Sequence, residues 1–186
     1  MNSKGSRKRA FFVIFIDMTP VTHIVSGLAV ATILNELGVT QIDIQPLLLS
    51  PLWVVIIGFV SVLPDINVIW SPLTKHHDDF THYPLFWLIP SALIGSVEYV
   101  YTGQLQFVWL FMALIVVHML LDTVAFSVGV TWLAPFSKKE FSFTNINKEV
   151  LEFSFKEKGK TYLKYTALKV EVVVLVASLL VLLVLR

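Results

Sequence analysis

The stretch QFVWLFMALIVVHMLLDTVAF, residues 106–126, decides the fold. It is uncharged from Gln106 through Val117, then carries His118 and Asp122 before it ends. A helix that crosses the hydrocarbon core of a bilayer needs about 20 predominantly apolar residues, and this stretch supplies them. On such a helix His118 and Asp122 lie one turn apart on one face. Ionisable groups inside a span are costly and face a cavity or a partner, so they mark function. One segment therefore reads both as a membrane span and as the seed of a site.

Four other stretches read the same way: residues 22–39, entered after Pro20; 47–63, closed by Pro64; 83–101, with Pro84 in its first turn and Pro90 as an expected kink; and 165–185. Composition agrees. The chain is 56% hydrophobic and only 15% charged, against about 25% charged in ordinary soluble domains. Its mean hydropathy is +0.77. A net charge of +1 gives no bulk attraction for nucleic acid, and none is expected as a partner. Without cysteine, a metal site must use His, Asp, Glu and oxygen ligands. The basic then apolar N-terminus lacks a clean cleavage site, because Asp17 and Pro20 interrupt its short apolar run, and it reads as part of the mature protein.

The expected architecture is an all-α, polytopic transmembrane bundle of five spans in a single membrane-embedded domain, residues 1–186. Lys4, Arg7, Lys8 and Arg9 mark the N-terminal tail as cytoplasmic. An odd span count then puts the connection 64–82 and the lysine-rich segment 127–164 on the same side. The two connections that lack Lys and Arg face out. Residues 141–160 read either as an amphipathic segment on the membrane surface or as a solvated loop. Glu98 is expected at the outer interface, Lys169 is expected to snorkel, and Glu171 is assigned no role.

On this topology every histidine meets one depth. His23 opens the first span, His76, His77 and His82 precede the third, and His118 and Asp122 close the fourth; Asp65 follows the second directly. Imidazoles and carboxylates together suit Zn²⁺ best, with Mn²⁺, Fe²⁺ or Ni²⁺ as alternatives. The candidate metal ligands are His23, Asp65, one of His76 and His77, His82, His118 and Asp122. Asp78 and Asp79 are candidate general bases, and Thr22, Thr81 and His76 are candidates for orienting the ligands or contacting substrate. Plain alternatives exist for several of these. Asp65 and the two threonines also read as caps, Asp78 and Asp79 as a solvated acidic loop, and His118 as a hydrogen-bonded core residue.

Taken in order, Thr22-His23, Leu63-Pro64-Asp65, His77-x-x-Phe80-Thr81-His82, His118-x-x-x-Asp122 and the later Trp132-Leu133-Ala134-Pro135-Phe136 form a set. This set resembles the YdjM-type family of membrane-bound, metal-dependent hydrolases. It is also distantly similar to zinc-dependent phospholipases C. The resemblance implies a prokaryotic inner-membrane location, His77 rather than His76 as ligand, and phosphoester hydrolysis. Two departures stand out. Asn67 occupies the place of a second aspartate, and Asp78 and Asp79 replace an Arg-Gly pair, which removes a bidentate phosphate clamp.

The function expected from sequence is thus a metal-dependent hydrolase at the cytoplasmic membrane surface, acting on a lipid or lipid-linked phosphoester. Two other classes use the same residues. A divalent-metal transporter needs a polar path through the bilayer, which the first three spans lack near their middles. A metal-stapled structural protein needs bound metal and no turnover.

Overall fold

The computed structural model describes residues 19–40, 50–71, 78–124, 129–143 and 166–185. The described residues are helical, apart from the turns between helices and an isolated antiparallel bridge between Val130 and Phe141. Helix α1 spans Pro20–Glu36 and α2 spans Pro51–Ser61. Both begin on a proline, whose fixed φ suits the first helical turn and whose missing N–H is not needed there. The chain leaves α1 through Gly38, at φ +68, a left-handed position that favours glycine.

After Ser61 the chain turns by 67° into a 3-10 segment, Leu63–Ile69. Pro64 is the cause: it has no N–H to continue the ladder, and its ring crowds the preceding turn. The end that Pro64 was expected to impose on the span over residues 47–63 thus falls at Ser61. Two short 3-10 turns, Phe80–His82 and Pro84–Trp87, then feed α3, Leu88–Thr102. Pro90 falls in the first turn of α3, where its missing N–H costs no helical bond. Helix α4 runs Gln106–Val124 and α5 runs Thr166–Val184. Among the described residues, Pro84–Thr102 and Gln106–Val124 are long and apolar enough to cross a membrane, and the bent pair through Ser61 makes a third if taken as one span.

The packing is the reverse of a soluble protein's. Leu93, Val97, Val100, Leu180 and Leu183 are exposed, whereas α1 buries Thr22, Ser26, Gly27, Ala29, Ala31 and Thr32. Lipid tails are as apolar as leucine, so helices associate through small residues and hydrogen bonds. Gly27 shows why size matters. A Cβ there would lie 2.0 Å from Ser61 Oγ and 3.2 Å from a Leu114 methyl. Helices α1, α2 and α4 meet at this glycine. One turn along α1 and α4 from that crossing lie His23 and His118.

Two acidic side chains tie helix starts to other helices. Glu98 on α3 accepts from the Phe107 N–H at 2.7 Å and the Val108 N–H at 2.9 Å, capping α4. It is buried against the neighbouring helix. Glu171 on α5 accepts through Oε1 from the Thr19 N–H at 2.9 Å and from the Thr22 hydroxyl at 2.7 Å, capping α1. Beyond α4, residues 129–143 fold back on its end. Trp132 Nε1 donates to Thr123 Oγ1 at 2.8 Å, and the Phe143 N–H donates to the Thr123 carbonyl at 2.9 Å. Only residues 141–143 of the segment read as amphipathic or solvated lie among the described residues.

Candidate metal centre

His118 is the best-held member of the site. Its Nδ1 lies 2.7 Å from the carbonyl oxygen of Ser61. A carbonyl only accepts, so Nδ1 carries the proton and the lone pair of the neutral ring sits on Nε2. Metal-ligating histidines are oriented in this manner by a backbone or carboxylate acceptor. No sequence signal marks the Ser61 carbonyl, because the acceptor is backbone exposed by the break in α2.

Nε2 of His118 faces two carboxylates, 3.0 Å from Asp122 Oδ2 and 3.4 Å from Asp65 Oδ1. His82 reaches the same pair, with Nε2 3.4 Å from Asp65 Oδ1 and 3.6 Å from Asp122 Oδ2. Asp65, His82, His118 and Asp122 each offer one ligand atom, all within 4.8 Å of one another. Four donors around Zn²⁺ at about 2.1 Å define a tetrahedron with edges of about 3.4 Å. The four measured separations bracket that edge. Nε2 of His118 and Oδ2 of Asp122 are buried, and among the described residues neither has a partner in hydrogen-bond geometry, the condition a cation would relieve. The donor set fits a divalent ion.

His23 joins the cluster from α1. Its ring stacks on His118, with centroids 4.0 Å apart, and its Nε2 lies 3.3 Å from Asp122 Oδ1. Asp122 thus turns one oxygen to His82 and His118 and the other to His23.

The remaining sequence candidates divide. His76 and His77 lie outside the described residues. Thr81 Oγ1 is 3.4 Å from His82 Nδ1 and donates to Asp79 Oδ1 at 3.5 Å, while its carbonyl accepts from Trp87 Nε1 at 2.8 Å. Asp79 caps this turn and also accepts from Trp70 Nε1 at 3.1 Å. Asp78 is exposed, and its carbonyl accepts from the Tyr83 hydroxyl at 2.8 Å. Thr22 bonds to Glu171 and not to His23. Asn67, in place of the second aspartate, is buried, and its carbonyl accepts from the amides of Trp70 and Ser71.

Burial pushes the His82 imidazole down, but the facing carboxylates of Asp122 and Asp65 outweigh it and hold the group above its ordinary value. Access to the cluster is one-sided. The side chains of His23, His82, His118 and Asp122 are at most 1% exposed, that of Asp65 23%. The 3-10 segment that carries Asp65 continues to Ile69 and Trp70, both exposed, and Trp70 stacks near exposed Phe80 at 6.3 Å.

A family model described as YdjM inner membrane protein matches residues 18–186. The chain belongs to this family. No curated protein and no solved structure matches it.

Proposed function

We propose that this member of the YdjM inner membrane family is a metal-dependent hydrolase embedded in the membrane, acting on a lipid or lipid-linked phosphoester. The observation that carries the reading is the buried tetrad of Asp65, His82, His118 and Asp122, with His118 oriented by the Ser61 carbonyl. When bound there, a divalent ion, Zn²⁺ by preference, supplies a Lewis acid that acidifies water and polarises a phosphoryl oxygen. The protein's own residues do the rest. Asp65, His82, His118 and Asp122 hold the ion, with His23 beside them. Asp78, with its exposed side chain, is the proposed general base; the Asp79 carboxylate already accepts from Trp70 and Thr81.

The substrate class follows from where the opening lies. The one partly exposed ligand, Asp65, shares its segment with the exposed apolar side chains Ile69 and Trp70. An apolar lip beside a polar centre suits a molecule with acyl chains and a phosphate headgroup. In this reading α1 and α5 complete a five-span topology, and the lysines and arginines of the N-terminal tail put the site on the cytoplasmic side.

A specific observation favours a second reading. Asp65, His82, His118 and Asp122 come from three separate elements, and His23 from a fourth, so an ion here also staples the fold. The deciding experiment measures metal-dependent release of headgroup or phosphate from vesicles of mixed phospholipids. Turnover that is lost with chelator supports the hydrolase. Metal-loaded protein inert across a broad lipid panel overturns it and leaves the staple.

A further inference from the structure

The His23 ring is buried, and among the described residues neither of its nitrogens has a partner in hydrogen-bond geometry. Unlike His118, it has no backbone acceptor on Nδ1 among the described residues, and its Nε2 faces Asp122 Oδ1 at 3.3 Å. Its aim at Asp122 is set by the backbone of the first turn of α1. That turn begins at Thr19, whose own side chain does not cap it. The cap comes from α5. Glu171 Oε1 accepts from the Thr19 N–H at 2.9 Å, from the Thr19 hydroxyl, and from the Thr22 hydroxyl at 2.7 Å. Thr22 is fully buried and Glu171 is 6% exposed. A carboxylate at this end also complements the helix dipole. One turn further along α1, Ser26 meets Ser178 of α5 at 3.2 Å, which keeps the two helices in step.

We infer that Glu171 is a positioning residue. It locks the first turn of α1 and so points the His23 imidazole at Asp122, which makes the last helix a determinant of the metal centre. This inference rests on the metal reading of that centre.

The test uses the full-length protein in detergent with cobalt(II) as the probe, read by its visible spectrum and by titration. Glu171→Ala and His23→Ala are expected to share one altered cobalt spectrum and an affinity about 10–100-fold weaker, the loss typical of a ligand's support. Glu171→Gln keeps an acceptor oxygen and restores most of both. Ser178→Ala loosens the same helix pair and leaves both as in wild type. Glu171→Ala with the wild-type spectrum and affinity overturns the inference. Should Glu171→Ala not fold, Thr22→Val, which deletes one donor, is expected to shift the spectrum the same way, and a wild-type spectrum from it overturns the inference. A second readout needs no metal. Diethylpyrocarbonate is expected to modify His23 in metal-free Glu171→Ala but not in wild type or Ser178→Ala. Wild-type protein that binds no cobalt yet shows this protection removes the metal reading and keeps the positioning role; His23 equally protected in Glu171→Ala removes the positioning role.

Discussion

The imidazoles of His23 and His118 lie face to face, centroids 4.0 Å apart and planes 22° from parallel, although they belong to α1 and α4. Both rings also approach Asp122.

The first prediction concerns that cluster. Elemental analysis of purified wild-type protein is expected to find one or two equivalents of a transition metal. His118→Ala and His82→Ala, each of which removes one ligand of the tetrad, are expected to lose most of it. Full metal retention in either variant places the ion elsewhere.

Metal affinity is expected to fall as the solution is acidified. The carboxylates of Asp122 and Asp65 hold His82 above the ordinary imidazole value in the metal-free protein, against burial. A raised folded value means that the proton on His82 stabilises the metal-free fold fully below about pH 6.5, and that this contribution disappears as pH rises through the folded value. An ion must displace that proton, so binding loses about tenfold per pH unit for each proton displaced, beginning above pH 6.5. Chelator competition between pH 5 and pH 9 measures the slope; a flat profile contradicts the assignment of His82 as a ligand.

Gly27→Ala is expected to destabilise the protein by about 1–3 kcal/mol, the usual cost of overpacking. The new methyl meets Ser61 Oγ and Leu114 where three helices cross. Adding Ser61→Ala removes the hydroxyl and should return part of the loss in thermal unfolding, although the Ser61 Cβ still lies 3.0 Å from the added carbon.

Glu98→Ala is expected to cost ~1–2 kcal/mol, as for other lost caps. Hydrogen exchange should quicken at the Phe107 and Val108 amides, the groups it caps. Metal content should not change, because His118 and Asp122 lie toward the opposite end of α4.

Trp132→Phe removes one partly buried hydrogen bond, worth about 1 kcal/mol. Exchange at the Phe143 and Val130 amides is expected to rise as residues 129–143 loosen from α4, without loss of helicity.

Much of this arrangement was legible in the residue order. Long apolar runs place the helices within a few residues of their ends, since little else about the chain competes with the need to stay out of water. Charge bias and span parity together put His23, Asp65, His82, His118 and Asp122 at one depth, and the structure brings these five side chains together. What escaped was whatever depends on rotation and on contacts distant in sequence. The turn at Ser61 was signalled by Pro64, yet its product, a carbonyl turned toward His118, is backbone and has no letter in the sequence. Glu98 was expected at the interface and Glu171 was given no role, because hydropathy records a carboxylate's cost but not the amides that compensate it. Asp79 read as a base and serves in the structure as a cap.

That two helix starts are completed by carboxylates from elsewhere bears on how the chain matures. Helix α4 receives Glu98 from its neighbour just upstream, so the cap is ready when the helix is made. Helix α1 must wait. Its closing oxygen belongs to α5, the last element of the described chain, which leaves the ribosome only after everything between them. Until then the first described helix has an unfinished end. The cap on α1 therefore cannot form helix by helix. It is completed in one late step, when the final helix docks against the first.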